Sequence, residues 1–256
     1  MVELEQFEEL LAYAVGASEV VGLYVFGSRG RADGMSDERS DVDVGVVLVD
    51  DPGAIDAFDR RWPYQHGDAI EVSRATLSAF RELGEYGTST EWMRPQYASV
   101  ELRVDKTGEI AALLYEKRRV PAEVIPSVVR EGFGAYINAT YRSLRYRMVG
   151  AAFGARLDAA ESIPPLLTAI FAVEGRVRPF NKYLVSDLEA TPLTGAEWSA
   201  KRLQAQLEAV LNGDPEAQHE LFRAAHQTAL KCGYGEVFAE WEPDLAWLRG
   251  EAEYRS

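Results

Sequence analysis

Three acidic side chains and one glycine-serine turn carry most of the chemical content of this sequence. In VFGSRGRADGMSDERSDVDVGVVLVD, residues 25–50, an apolar run stops at Gly27-Ser28, and Asp41 and Asp43 interrupt the start of a second apolar run. Alternate residues of an extended strand share a face, so Asp41 and Asp43 are expected on one side and Val42 and Val44 on the other. Two ionised carboxylates on one edge repel each other and are costly to hold half-buried unless a cation neutralises them. Hard oxygen ligands at this spacing suit magnesium, which takes one or two carboxylates and completes its shell with water and substrate phosphates. The pair therefore predicts a metal-bound nucleoside triphosphate.

Glu71, flanked by Ile70 and Val72, offers a third carboxylate on a run expected to neighbour the pair. Three carboxylates on one sheet face can hold two magnesium ions about 3.5–4 Å apart, clamping the attacking and leaving oxygens of a phosphoryl displacement. Glu71 can equally serve as general base toward an acceptor hydroxyl. Both roles require it to face Asp41 and Asp43. Gly27 allows close backbone approach to phosphate oxygens, and a short helix expected over Arg29 to Asp33 would aim its N-terminal N–H groups at them. Ser28 adds a hydroxyl, and Arg29 and Arg31 add positive charge.

The elements that must position these groups can be sketched from periodicity. Leu4, Phe7, Leu10, Leu11 and Val15 recur at helical spacing over Glu3 to Val15. Strands are expected at Val20 to Phe26, Val42 to Val49, Asp68 to Arg74 and Tyr97 to Asp105, with helices around Gly53 to Arg61 and Thr76 to Leu83. From Pro121 onward strand signals give way to helical stretches at Ala122 to Val149, Leu157 to Glu174, Asn181 to Glu189, Ala196 to Leu211, Pro215 to Lys231 and Val237 to Leu248. The expected fold class is α+β: a small mixed-sheet domain, residues 1–118, followed by an all-α helical bundle, residues 119–256.

Composition narrows the partners. The chain has 256 residues and a formal charge of −14, which disfavours nucleic acid without a local basic patch and favours a small cationic partner. The single cysteine, Cys232, excludes an intrachain disulfide and any cysteine-rich zinc site. His66, His219 and His226 are scattered and read as structural. The N-terminus is acidic and amphipathic, unlike a secretory signal, and no apolar run approaches the ~20 residues of a membrane span. A soluble, cytoplasmic protein with no membrane partner is the expectation.

The stretch GSRGRADGMSDERSDVDVGVV resembles the signature of the DNA polymerase β-type nucleotidyltransferase superfamily: a Gly-Ser turn, a spacer, an Asp-x-Asp pair and a carboxylate on a later strand. The resemblance implies metal-dependent transfer of a nucleoside monophosphate, with Gly27 and Ser28 holding triphosphate oxygens, Asp41 and Asp43 as catalytic magnesium ligands and Glu71 as the third carboxylate, Asp68 being the alternative for that last position; Arg29, next in the turn, is expected at the triphosphate as well. ASVELRVDKTGEI (Ala98 to Ile110) resembles the strand closing the sheet in small antibiotic-modifying members. LDAAESIPPLLTAIFAVEGRVRPFNKYL (Leu157 to Leu184) is similar to their helical second domain, where the resemblance implies that Lys182 reaches the triphosphate, with Arg178 and Asn181 as the other candidates. The expected reaction moves AMP from ATP, or from another nucleoside triphosphate its own monophosphate, to a hydroxyl of a small, aminoglycoside-like acceptor. The alternatives are nucleotidylation of a protein or RNA, a glycosyltransferase using Asp-x-Asp, and a nucleotide-binding sensor without turnover.

Overall fold

The computed structural model describes residues 2–31, 40–63 and 70–254. Asp68 and His66 lie outside the described residues, as do residues 32 and 33 of the short helix expected after the glycine-serine turn. The chain divides into two compact units, Met1–Arg119 and Val120–Ser256. The first holds a four-stranded mixed sheet and the second is helical, so the fold class is α+β.

In the first unit, α1 (Val2–Gly16) leads into β1 (Val20–Phe26), and β2 (Val42–Leu48) is joined through α2 (Ala54–Arg61) to β3 (Ile70–Thr76). After α3 (Leu77–Glu82) and a 3₁₀ helix at Glu91–Ala98 come β4 (Glu101–Asp105) and α4 (Glu109–Lys117). The strand order is β3-β2-β1-β4. β1 runs antiparallel to β2 and β4, whereas β2 and β3 are parallel, which is why a helix has to carry the chain between them.

Alternation sorts the strand residues onto two cores. Leu23, Val25, Val42, Val44, Val46 and Ile70 pack with Phe7, Leu10 and Ala14 of α1 and Phe58 of α2. Tyr24 and Val47 face the other way, against Phe80, Tyr97, Ile110 and Leu114. Two expectations need correction here. Ala14, fully buried, takes the core position assigned to Val15, which is 62% exposed. The strand expected from Tyr97 begins only at Glu101: Pro95 has no N–H for a ladder, and Tyr97 turns inward from the 3₁₀ helix to meet Tyr24 and Phe80.

Behind this second core lie two buried cations. Lys117 Nζ donates to the carbonyls of Arg81 (3.0 Å) and Leu83 (2.6 Å), at the end of α3. Arg94 donates to the carbonyls of Gly84 (2.9 Å) and Arg119 (2.6 Å), and Glu85 lies 3.5 Å from Lys117 and 3.6 Å from Arg94. Burial pushes the Lys117 ammonium below the ordinary lysine range, with Glu85 working against that shift. These side chains cap carbonyls that the ends of α3 and α4 leave without helical partners.

The second unit is built on a long hairpin, α5 (Ile125–Met148) and α6 (Ala152–Val173). Gly132 lets the helices approach closely, since a Cβ there would stand 2.8 Å from the Pro165 carbonyl oxygen. α7 (Leu184–Ala190), α8 (Ala200–Leu211), α9 (Pro215–Lys231), α10 (Gly235–Ala239) and α11 (Leu245–Leu248) complete it. The single helix expected over Val237 to Leu248 is two short ones, because Pro243 between them cannot continue a helical ladder. No helix among the described residues is long and apolar enough to cross a membrane.

Candidate active site

The site begins with the inward packing of Val42 and Val44. Both are buried on the face covered by α1 and α2, and the strand's pleat therefore directs Asp43 to the opposite face. Asp41 immediately precedes β2 and continues the same alternation. On the neighbouring parallel strand Ile70 enters the same core as Val42, so Glu71 takes the Asp43 side. The register then sets Asp43 directly beside Glu71 and, across the sheet, opposite Phe26 at the end of β1.

The result is a trio. Asp41, Asp43 and Glu71 each offer a carboxylate oxygen, and these oxygens all lie within 4.8 Å of one another. Asp41 is exposed and Asp43 half-buried, so the trio is open to solvent on at least one side. Oxygens on opposite sides of a magnesium ion lie about 4 Å apart, so side-chain adjustments of under about an ångström would bring all three to one ion. An all-carboxylate donor set suits a hard divalent cation and not a thiophilic metal. The residues present fit the group that the sequence implies.

The glycine-serine turn sits against this trio. Gly27 adopts φ +65°, the left-handed region, and a Cβ on it would fall 1.9 Å from Asp43 Oδ2. Only glycine leaves room for that carboxylate. Residues 27–30 form a turn rather than the start of a helix, with the Gly30 N–H donating to the Phe26 carbonyl at 3.1 Å. Gly30 is the residue that sequence reasoning passed over: a Cβ there would lie 2.4 Å from the Val25 carbonyl oxygen, so the turn folds flat on the strand it leaves. Its signal was a second glycine three residues after the first. Gly45 was also passed over. It stands opposite Tyr24, and a Cβ there would meet the Tyr24 ring at 2.1 Å. Ser28 is 2% exposed and so lies beneath the turn surface. Arg29 Nε donates to the Ser40 carbonyl at 2.8 Å, tying the turn to the residue that precedes Asp41.

The remaining expected residues lie in the second unit. Arg178 is half-buried and donates to Asn181 Oδ1 and, at 3.4 Å, to the Pro164 carbonyl; burial depresses its pKa. Lys182 is exposed, its Nζ 5.3 Å from the Tyr183 ring centre. Arg176 is held by Asp187 Oδ2 at 2.6 Å, and Arg142 by Asp158 Oδ1 at 2.8 Å, so both complete internal ion pairs. His219 Nδ1 lies 2.9 Å from the Leu248 carbonyl, and His226 stacks on Phe238 at 4.8 Å, which are structural placements.

Among solved structures, a nucleotidyltransferase-like protein from Exiguobacterium sibiricum is similar to this chain at 12% identity, with a TM-score of 0.41, over 94% of this chain and 81% of that one. No protein-family model and no curated protein matches the sequence.

Proposed function

We propose that the chain is a divalent-metal-dependent nucleotidyltransferase that moves a nucleoside monophosphate, AMP from ATP, onto a hydroxyl of a small molecule. The observation that supports this best is the carboxylate trio, its oxygens within 4.8 Å of one another, packed against a left-handed glycine. In the reaction an acceptor hydroxyl oxygen bonds to the α-phosphorus, and the bond from that phosphorus to the bridging oxygen breaks. Pyrophosphate leaves with the bonding electrons, and the acceptor proton passes to a base.

Asp41, Asp43 and Glu71 would hold magnesium, which when bound neutralises charge on the phosphate oxygens. Glu71, paired with Asp43 across β2 and β3, is also proposed as the base that takes the hydroxyl proton. The Gly27-Ser28 turn would receive phosphate oxygens, and Arg29, anchored on Ser40, would add fixed positive charge. Arg178 and Lys182 are proposed as further triphosphate-binding residues on the sequence resemblance. The net charge of −14 favours a cationic acceptor of the aminoglycoside kind.

The test is pyrophosphate release with each nucleoside triphosphate and magnesium, across hydroxyl acceptors that include aminoglycosides. Release that requires both acceptor and magnesium and disappears in Asp43→Asn supports the reading. Release unchanged in that variant, or none with any donor and acceptor, rejects it.

A further inference from the structure

We propose that the tip of the α5–α6 hairpin is a docking surface for an anionic lipid bilayer. Tyr146 to Phe153, YRMVGAAF, form eight consecutive exposed residues, of which only Arg147 is charged. The large apolar side chains stand well out from the surface: Val149 is 74% exposed, Phe153 71%, Met148 54%, Leu157 50% and Tyr146 41%. Tyr146 lies over Gly154, where a Cβ would meet its ring at 3.3 Å, so both arms of the hairpin contribute to one patch. Contiguous exposed apolar surface of this kind marks an interaction site rather than ordinary surface composition.

Charge selects the occupant. Residues 132–157 contain four arginines and no acidic residue, in a chain whose formal charge is −14. Arg142 is neutralised by Asp158. Arg145 lies 3.9 Å over the Tyr254 ring, and Arg147 donates to the Gly213 carbonyl. Arg156 lies beside the same glycine, its Cγ 3.5 Å from where a Gly213 Cβ would stand. Among the described residues no carboxylate forms an ion pair with Arg145, Arg147 or Arg156. They form a basic collar behind an apolar knob.

A knob whose large apolar side chains are 41–74% exposed can enter the boundary between headgroups and acyl chains. The collar then meets anionic headgroups. A second copy docking tip to tip would bring the two arginine collars together, so like-charge repulsion opposes that pairing. The acidic remainder of the chain is screened over about 8 Å at physiological ionic strength, and a local contact survives the unfavourable net charge. Surface attachment needs no spanning helix, so the lack of one among the described residues does not bear on it.

The experiment is co-sedimentation of the full chain with vesicles of phosphatidylcholine alone and of phosphatidylcholine mixed with phosphatidylserine. Binding is expected only to the mixed vesicles and should weaken as salt is raised. The double variant Val149→Asp, Phe153→Asp should lose it more than tenfold, with circular dichroism and melting temperature unchanged because both side chains are exposed. Arg147→Gln and Arg156→Gln should each weaken it roughly fivefold, the effect of one basic residue at an anionic surface. The proposal is overturned if mixed vesicles fail to bind at low salt or if the double variant binds as well as the parent. It is also overturned if light scattering shows a lipid-independent oligomer that the double variant converts to monomer. None of these readouts depends on nucleotide turnover.

Discussion

The first unit treats its charges in two opposite ways. At one place it gathers three carboxylates of the same sign, Asp41, Asp43 and Glu71, with oxygens within 4.8 Å of one another, the donor set of a hard divalent cation. At another it buries two cations, Arg94 and Lys117, and gives each of them backbone carbonyls and a share of Glu85. The second arrangement draws its partners from the fold itself and serves the fold. On the proposed function the first is completed by a cation from outside, and that difference would separate a binding site from a structural tie within one sheet domain.

The comparison is broken most severely at Asp43. Asp43→Asn should cut pyrophosphate release by about a thousandfold, some 4 kcal/mol of transition-state stabilisation, since each factor of ten is about 1.4 kcal/mol. Its unfolding free energy without metal should change far less than its turnover does; a loss in a urea titration as large as the loss in turnover would instead make Asp43 structural. Lys117→Met should behave inversely. Leaving the Arg81 and Leu83 carbonyls without their donor should cost about 2–4 kcal/mol of stability, read by urea unfolding, with magnesium affinity measured by calorimetry nearly unchanged.

Gly27→Ala comes next, since it forces a Cβ onto the Asp43 carboxylate at a left-handed position. It should lower turnover about a hundredfold through misplacement and cost about 1–2 kcal/mol of stability. Arg29→Gln, which removes the tie to the Ser40 carbonyl, should lower turnover about tenfold, as loss of an orienting partner commonly does. The smallest effect belongs to the helical unit. Burial, with Arg249 nearby, holds the His226 pKa below its ordinary value, against the opposing pull of Glu251 and Glu242. The folded state then binds fewer protons than the unfolded one, so stability is full above about pH 6.5 and falls as the pH drops below it. His226→Phe should flatten that acid limb of the melting-temperature profile.

Much of this was readable in residue order, for reasons that are local. The apolar alternation about Asp43 and the valine-rich runs of β1 and β2 report their own faces, and Asp214 followed by Pro215 marks the start of α9, where the Asp214 carboxylate caps Glu216 N–H at 2.9 Å. What escaped depends on distant partners. Tyr97 belongs to a strand-like pattern but is drawn inward by Tyr24 and Phe80, and α4 has no counterpart among the helices expected from the sequence. Within the site, the acidic residues are conspicuous by type, whereas the adjacency of Asp43 and Glu71 is a property of strand pairing and has no local signal. The same holds for Gly30 and Gly45, whose need for a missing Cβ arises from Val25 and Tyr24.

The parallel pairing of β2 with β3 has a temporal consequence. Parallel neighbours require a crossover, and such non-local contacts form late relative to hairpins and helices. During synthesis, Asp41 and Asp43 leave the ribosome before Glu71 does, and a chain halted ahead of Ile70 owns only part of its cation cradle. On the proposed function, affinity for magnesium should therefore emerge only once β3 has paired with β2, which makes ion uptake a clock for that step of folding.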